Sequence, residues 1–494
     1  MRAEHFLAID QGGHASRAVI FDARGAVVAQ AFAPLGTRRP AADRVEHDPE
    51  ELIASLGAAI DDAIRDALTK LPGSATIAAA GLATQRSSIV CWDRANGRAL
   101  SPVISWQDRR NAAFVDSLRE RASDVHARTG LVLSPHYGAS KLRWCLENIP
   151  EVRDAARDGR LALGPLASFI LFRLLAERPL LVDPANASRT QLWDPDTRDW
   201  APDLLQLFGI DAAVLPTPVT SRHAFGTLAL HGRRIPLQVC TGDQSAVPFA
   251  FGPLDTRAAY VNLGTGAFIQ CPLREPLRAP LLLTSVVWSD AHTTTYVLEG
   301  SVNGASSALD WLSETEGFDA QRMLAAGADG AVAAPPLFLN GISGLASPFW
   351  VPDFESRFVG RGTAEGKFLA VIESILFLLR VNLDEIQHCR ENHGEPLARL
   401  VVTGGLSQSD FLCQRLADLT SLSVVRYADR EATARGLGRL VAGDTASFAV
   451  PADSTTFAPR EDTALLERFF AWLEEMKQQA RKSGGLRAEE PLGT

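Results

Sequence analysis

The chain has 494 residues, more than one hydrophobic core organises, and its 46% hydrophobic and 22% charged residues are ordinary for a globular protein. Lys and Arg number 49 against 58 Asp and Glu, a net charge of −9, and no Lys/Arg block is long enough for a nucleic-acid or membrane patch. This balance argues against disorder and against polyanion binding, and leaves a local site for one nucleotide open.

The segment Met1–His5 leads into a strand-like run without a secretory pattern, and the apolar runs at 169–172 and 375–379 are broken by Arg173 and Arg380. A cytoplasmic chain with no membrane span is therefore expected. Phe6–Ile9, Arg17–Phe21 and Val27–Ala29, separated by Asp10-Gln11-Gly12-Gly13 and Asp22-Ala23-Arg24-Gly25, read as an antiparallel meander. A helix follows. Asp48 caps it, Pro49 suits its first position, and Leu52, Leu56, Ala59, Ile60, Ala63 and Ile64 form one apolar face. Strands at 78–83 and 90–92 come next, giving an α/β domain rather than a pure doubly wound sheet.

The second half echoes this plan. Ala259–Leu263 leads into Gly264-Thr265-Gly266, Thr294–Leu298 reads as a strand, Val302–Leu312 as the start of a helix, and Leu400–Thr403 ends in Gly404-Gly405. Pro248, Gly252 and Pro253 mark a hinge at 246–253 between domains expected at 1–250 and 251–494. An amphipathic helix through Leu465, Phe469, Trp472 and Met476 precedes a polar tail from about residue 483. The six cysteines are scattered, with no C-x-x-C pair, and read as small buried hydrophobes.

Chemistry is suggested by three strand ends: Asp10-x-Gly12, Gly264-Thr265-Gly266 and Gly404-Gly405. Glycine turns expose amides that can cradle phosphate oxygens, and a strand-end Asp can hold hydrated magnesium. Each alone is more often a plain turn; their joint occurrence carries the information. In Thr241-Gly242-Asp243-Gln244, Asp243 reads as a cap for the following segment, the better reading from these residues alone, or as a general base. Phosphoryl transfer needs a metal-holding carboxylate, phosphate-binding amides and a basic carboxylate, and the chain offers all three.

These residues resemble the FGGY family of carbohydrate kinases, and within it the glycerol kinases. The resemblance runs from Leu7 to about Leu440. It is carried by Asp10-Gln11-Gly12 with Ser16-Arg17; Val45–Pro49; Gln85-Arg86; Trp106–Arg110; Lys141–Trp144; Asn186–Thr190; Gly242-Asp243-Gln244; Gly264-Thr265-Gly266 with Phe268; Glu299–Ser301; and Gly404-Gly405 with Phe411-Leu412. It implies two actin-like (ribonuclease H-like) domains around a central cleft for ATP and substrate. It further implies ATP and Mg2+ as cofactors, and Asp10 and Asp243 as catalytic and metal-holding carboxylates, with Asp243 as base. Gly12, Gly13, Arg17, Thr265, Gly266, Gly404, Gly405 and Ser409 fall on the nucleotide side. Arg86, Ser87, Trp106, His136, Asp243, Gln244 and Phe268 fall around a small polyol or sugar. By the same analogy a homodimer or homotetramer is expected.

The chain departs from the glycerol kinase pattern where it matters. Ser87 follows Arg86 in place of a glutamate, and His136, beside Tyr137, replaces a pocket tyrosine. Gly13-His14-Ala15 replaces a threonine-rich phosphate loop, and Ser409 stands where an asparagine is usual. Exchanging a carboxylate acceptor for a hydroxyl costs about 1–3 kcal/mol if a buried group loses its partner. Glycerol is the first expected substrate. Erythritol, xylitol, xylulose or ribulose is the alternative, and a degenerate nucleotide-binding regulator the reading from another class.

Overall fold

The computed structural model describes residues 4–71, 76–230, 232–326, 335–391, 396–428, 431–443 and 448–483. The tail expected beyond Ser483 lies outside these. Two large mixed sheets organise the chain. In the first, Glu4–Gln11 pairs antiparallel with Ala15–Asp22, which pairs antiparallel with Val27–Pro34. On its other side Glu4–Gln11 pairs parallel with Thr76–Thr84, which pairs parallel with Arg233–Gly242. In the second, Ala258–Leu263 pairs antiparallel with Ala267–Leu273, which pairs antiparallel with Thr294–Val302. Its parallel neighbours are Arg399–Thr403 and then Ser423–Tyr427. The echo between the halves is thus one topology used twice. The strand expected at 294–298 runs on to Val302, and the helix expected from Val302 starts at Ser306.

Each sheet buries one face under its own helices. Pro49–Lys70 lays Leu52, Leu56, Ile60 and Ile64 on the first sheet, and its Asp48 cap accepts from the Glu50 and Glu51 amides at 3.0 and 3.2 Å. The long helix Ala364–Arg390 covers the second, and the helix Thr463–Lys482, with Phe469, Trp472 and Met476 buried, packs against that helix and the short strand Leu337–Leu339. Five of the six cysteines are buried and Cys389 is half-buried; all are free.

The helix Ala432–Ala442 joins the two halves. It follows the second sheet in sequence, yet Ala434, Leu437, Leu440 and Val441 pack with Phe6, Ala8, Val19, Phe21 and Val239 on the back of the first. It also lies against the linking segment Val247–Phe251. Close approach demands glycine here: a Cβ at Gly436 would overlap the Ala246 carbonyl oxygen. Gly436→Ala is therefore expected to cost about 1–3 kcal/mol by overpacking a rigid backbone contact. Chemical denaturation would read this as a lower midpoint with an unchanged slope.

Candidate active site

Parallel strands end together, and that is what gathers the acids. In register, Asp10 pairs with Ala83 and Ala83 with Thr241, so Asp243 stands two residues past the same sheet edge. Two strand spacings of about 4.8 Å separate the strands that carry the two carboxylates. They feel each other. Asp10 is buried and pushed up to about 7, first by desolvation and then by Asp243, with Arg17 opposing. Desolvation also raises Asp243, against Arg86, the Gln244 amide and Arg189.

Asp243 opens the short helix Asp243–Ala246, for which Gly242 occupies the cap position. Its Oδ1 accepts from the adjacent Gln244 amide at 2.7 Å and caps no later turn of this helix, so the carboxylate is not a cap in the usual sense. Gly242 has a steric reason: a Cβ there would meet Arg86 Cγ and Cδ at 2.5 Å. Arg86 lies across the strand end beside Asp243. From the second half of the chain, Glu299 on Thr294–Val302 accepts from Arg86 Nη1 at 2.8 Å and pairs with Arg189; all three side chains are over nine-tenths buried. Tyr137 is buried beside both arginines and hydrogen-bonds Arg189. Gln244 Oε1 accepts from Asn262 Nδ2 at 3.2 Å, and both share a crevice with Phe268 and Gln270.

The remaining expected residues fall as follows. Ser87 adopts a left-handed backbone, φ 64°, unusual for a residue with a side chain. Trp106 is 39% exposed, and its carbonyl lies 3.3 Å from Nδ1 of His136, itself exposed. Tyr137, rather than His136, is the buried aromatic beside Arg86. Gly12 closes the first turn with an N–H···O bond of 3.0 Å to Ala15, and a Cβ at Gly13 would meet nothing within 4 Å. Arg17 forms an exposed pair with Glu431 at 2.9 Å. Gly264, Thr265 and Gly266 fold over the start of the helix Ser306–Glu316: the Thr265 carbonyl accepts from the Ala305 and Ser307 amides at 3.0 and 3.2 Å. Gly404, at φ 90°, abuts Leu263 and Asn262, and Ser409 caps the helix Asp410–Thr420 through the Leu412 amide at 3.3 Å. Two glycine turns thus close the opening hairpins of the two sheets.

The residue pattern matches the FGGY family of carbohydrate kinases, its N-terminal domain over residues 5–262 and its C-terminal domain over 259–442. The chain belongs to this family. A glycerol kinase of Alkalilimnicola ehrlichii is 36% identical across 97% of this chain and 98% of its own. One of Trichlorobacter lovleyi is 37% identical across 88% of each. The fold matches the Plasmodium falciparum glycerol kinase solved with ADP, at TM-score 0.88 and 22% identity over 97% of this chain and 98% of that one. It also matches a ligand-bound xylulose kinase of Lactobacillus acidophilus, at 0.82 and 21% over 97% and 99%. The two domains thus have the actin-like fold, and the chain is an ATP-dependent carbohydrate kinase. No helix among the described residues is long and apolar enough to cross a membrane.

Magnesium takes few protein ligands and keeps several waters, so two carboxylates suffice to anchor it. Asp10 and Asp243 fit that need: both are buried carboxylates, and Asp243 is among the groups that raise Asp10.

Two predictions follow from the electrostatics. An Asp10 whose folded pKa lies near 7, above its unfolded value near 3.8, makes folding progressively less favourable as pH rises between those values. Asp10→Asn is expected to raise Tm of the ligand-free protein at pH 8 and to change it much less at pH 4; equal shifts at both would refute the coupling. Glu299→Ala strands two buried guanidiniums and is expected to cost about 3–5 kcal/mol, measured by denaturant unfolding.

Proposed function

We propose that this kinase phosphorylates a primary hydroxyl of glycerol or a closely similar polyol, with Asp243 as general base. The observation that carries the reading is the Asp243 carboxylate: it stands at a parallel strand end beside Arg86 and Asp10, and among the described residues no helix cap or ion pair within 4 Å occupies it. Full-length relatives named glycerol kinase support glycerol as the acceptor to test first. Residues 1–250 would carry the acceptor side and 251–494 most of the nucleotide side, in a cytoplasmic enzyme with access to ATP.

In this mechanism Asp243 accepts the proton of the attacking hydroxyl while Arg86 fixes a neighbouring hydroxyl by donating to it. Trp106 and Phe268 cover the CH edges of the polyol. Amides of the 12–13 and 265–266 turns hold the transferred phosphoryl oxygens, and Gly404 and Gly405 flank the nucleotide. Magnesium held by Asp10 and Asp243 would neutralise charge on the phosphate tail. Bending at 246–253, where Gly252 sits at φ 117°, would close the domains over the acceptor and expel water.

The test is ADP release with glycerol, erythritol, xylitol, D-xylulose and D-ribulose, alongside Asp243→Asn. We expect glycerol to be turned over, and the variant to lose activity by roughly 10²–10⁴-fold while still binding ATP. ATP binding without turnover of any acceptor would point instead to a nucleotide-binding regulator. Unimpaired Asp243→Asn would remove its assigned role.

A further inference from the structure

Lys141 is out of place by every local rule. It lies in the first turn of the helix Gly138–Asn148, where a cation opposes the helix dipole, and it is fully buried. A buried ammonium persists only when each of its protons has an acceptor. Here Nζ donates to three backbone carbonyls: His136 at 2.6 Å, Ser105 at 2.8 Å and Ser87 at 3.2 Å.

Those carbonyls come from three separate segments. Ser87 is in the turn after Thr76–Thr84, Ser105 follows the short strand Val103–Ile104, and His136 precedes the helix that carries Lys141. Each segment presents a side chain at the acceptor side of the cleft: Arg86 and Ser87 from the first, Trp106 from the second, His136 and Tyr137 from the third. Secondary ties run the same way. Ser88 Oγ accepts from the Trp106 amide at 3.0 Å and donates to Gln85 at 2.9 Å. The left-handed backbone of Ser87 is a conformation that persists only when its surroundings impose it, and Lys141 holds its carbonyl.

We propose that Lys141 is a positioning residue for the acceptor pocket: one ammonium sets the relative placement of the three segments that meet the polyol, and so tunes which polyol is taken. This rests on the reading of the cleft given above. The proton inventory makes the device sensitive to pH. Burial brings Lys141 down to about 7, with Asp108 opposing and Arg110 reinforcing; His136 faces it from the third segment, and Arg109 acts on His136. Asp108 is itself held by Arg110 and the Val45 amide. A neutral amine has two N–H donors for three carbonyls, so one segment is released as pH rises.

The experiment is steady-state kinetics of the full chain with ATP and glycerol from pH 6 to 9, for wild type, Lys141→Met and Lys141→Gln. We expect Lys141→Met to raise KM for glycerol by about tenfold or more with KM for ATP within about twofold, Lys141→Gln to fall between, and both to flatten a wild-type rise in glycerol KM above pH 7. Equal changes in both KM values, or a glycerol KM that Lys141→Gln leaves unchanged, would overturn the proposal. If Lys141→Met does not fold, Lys141→Gln and the wild-type profile decide, and a flat wild-type profile counts against it. Wild type that phosphorylates no acceptor at any pH would instead sink the kinase reading, and this inference with it.

Discussion

The site depends on a carboxylate that crosses from one domain to the other. Glu299 belongs to the second sheet, and its partners Arg86 and Arg189 belong to the first half of the chain. Two guanidiniums held together without an anion would repel each other and depress each other's basicity; burial and Arg86 already bring Arg189 down to about 9. With Glu299 between them they become a fixed fork of donors beside Asp243. Gln270, its neighbour across the sheet, steadies the carboxylate at 3.4 Å. Such a cluster is a poor source of stability, because desolvating three charges offsets most of their attraction. Its value lies in placement: the Asp243 carboxylate keeps a defined electrostatic neighbour only while the two domains remain in register.

That register has a second, apolar support. The helix Ala432–Ala442 leaves its own sheet to complete the core behind the first, and it touches the linking segment through Gly436. The polar cluster of Glu299 with Arg86 and Arg189 and the apolar contact through the helix Ala432–Ala442 both tie the two halves together. Any bend at 246–253 would have to keep one contact and rework the other. The apolar one is the harder to rework, since packed interiors deform in discrete rearrangements rather than continuously.

What could be read in the sequence followed from locality. The helix at 49–70 was legible because its cap, its proline and its apolar spacing lie within a few residues of one another. The glycine turns were legible because each closes a strand that its own composition announces. Asp243 was ambiguous for the same reason. A strand followed by Gly-Asp resembles a helix start, and only the third dimension shows that Gly242 holds the cap position while Asp243 accepts from the next amide. Glu299 and Arg86 stand 213 residues apart, so no spacing announces the pair. Lys141 gave a faint signal that could have been used. A lysine in the first turn of a helix, followed by an apolar residue, is on the wrong end of the dipole and needs a local reason.

The departure after Arg86 is met by this arrangement. Where the resemblance leads one to expect an acid directly after Arg86, the chain has Ser87, in a left-handed turn tied to Lys141. The arginine is not left unpaired, because its acid arrives from the other domain. A guanidinium has five donors, and Glu299 takes one Nη1 contact from Arg86, which leaves others for a hydroxyl without breaking the pair. The consequence is a coupling that an acid on the same turn would not give. Arg86 keeps this partner only when the second domain presents Glu299, so the placement of its guanidinium depends on domain register. Tyr137 is buried beside both arginines and hydrogen-bonds Arg189.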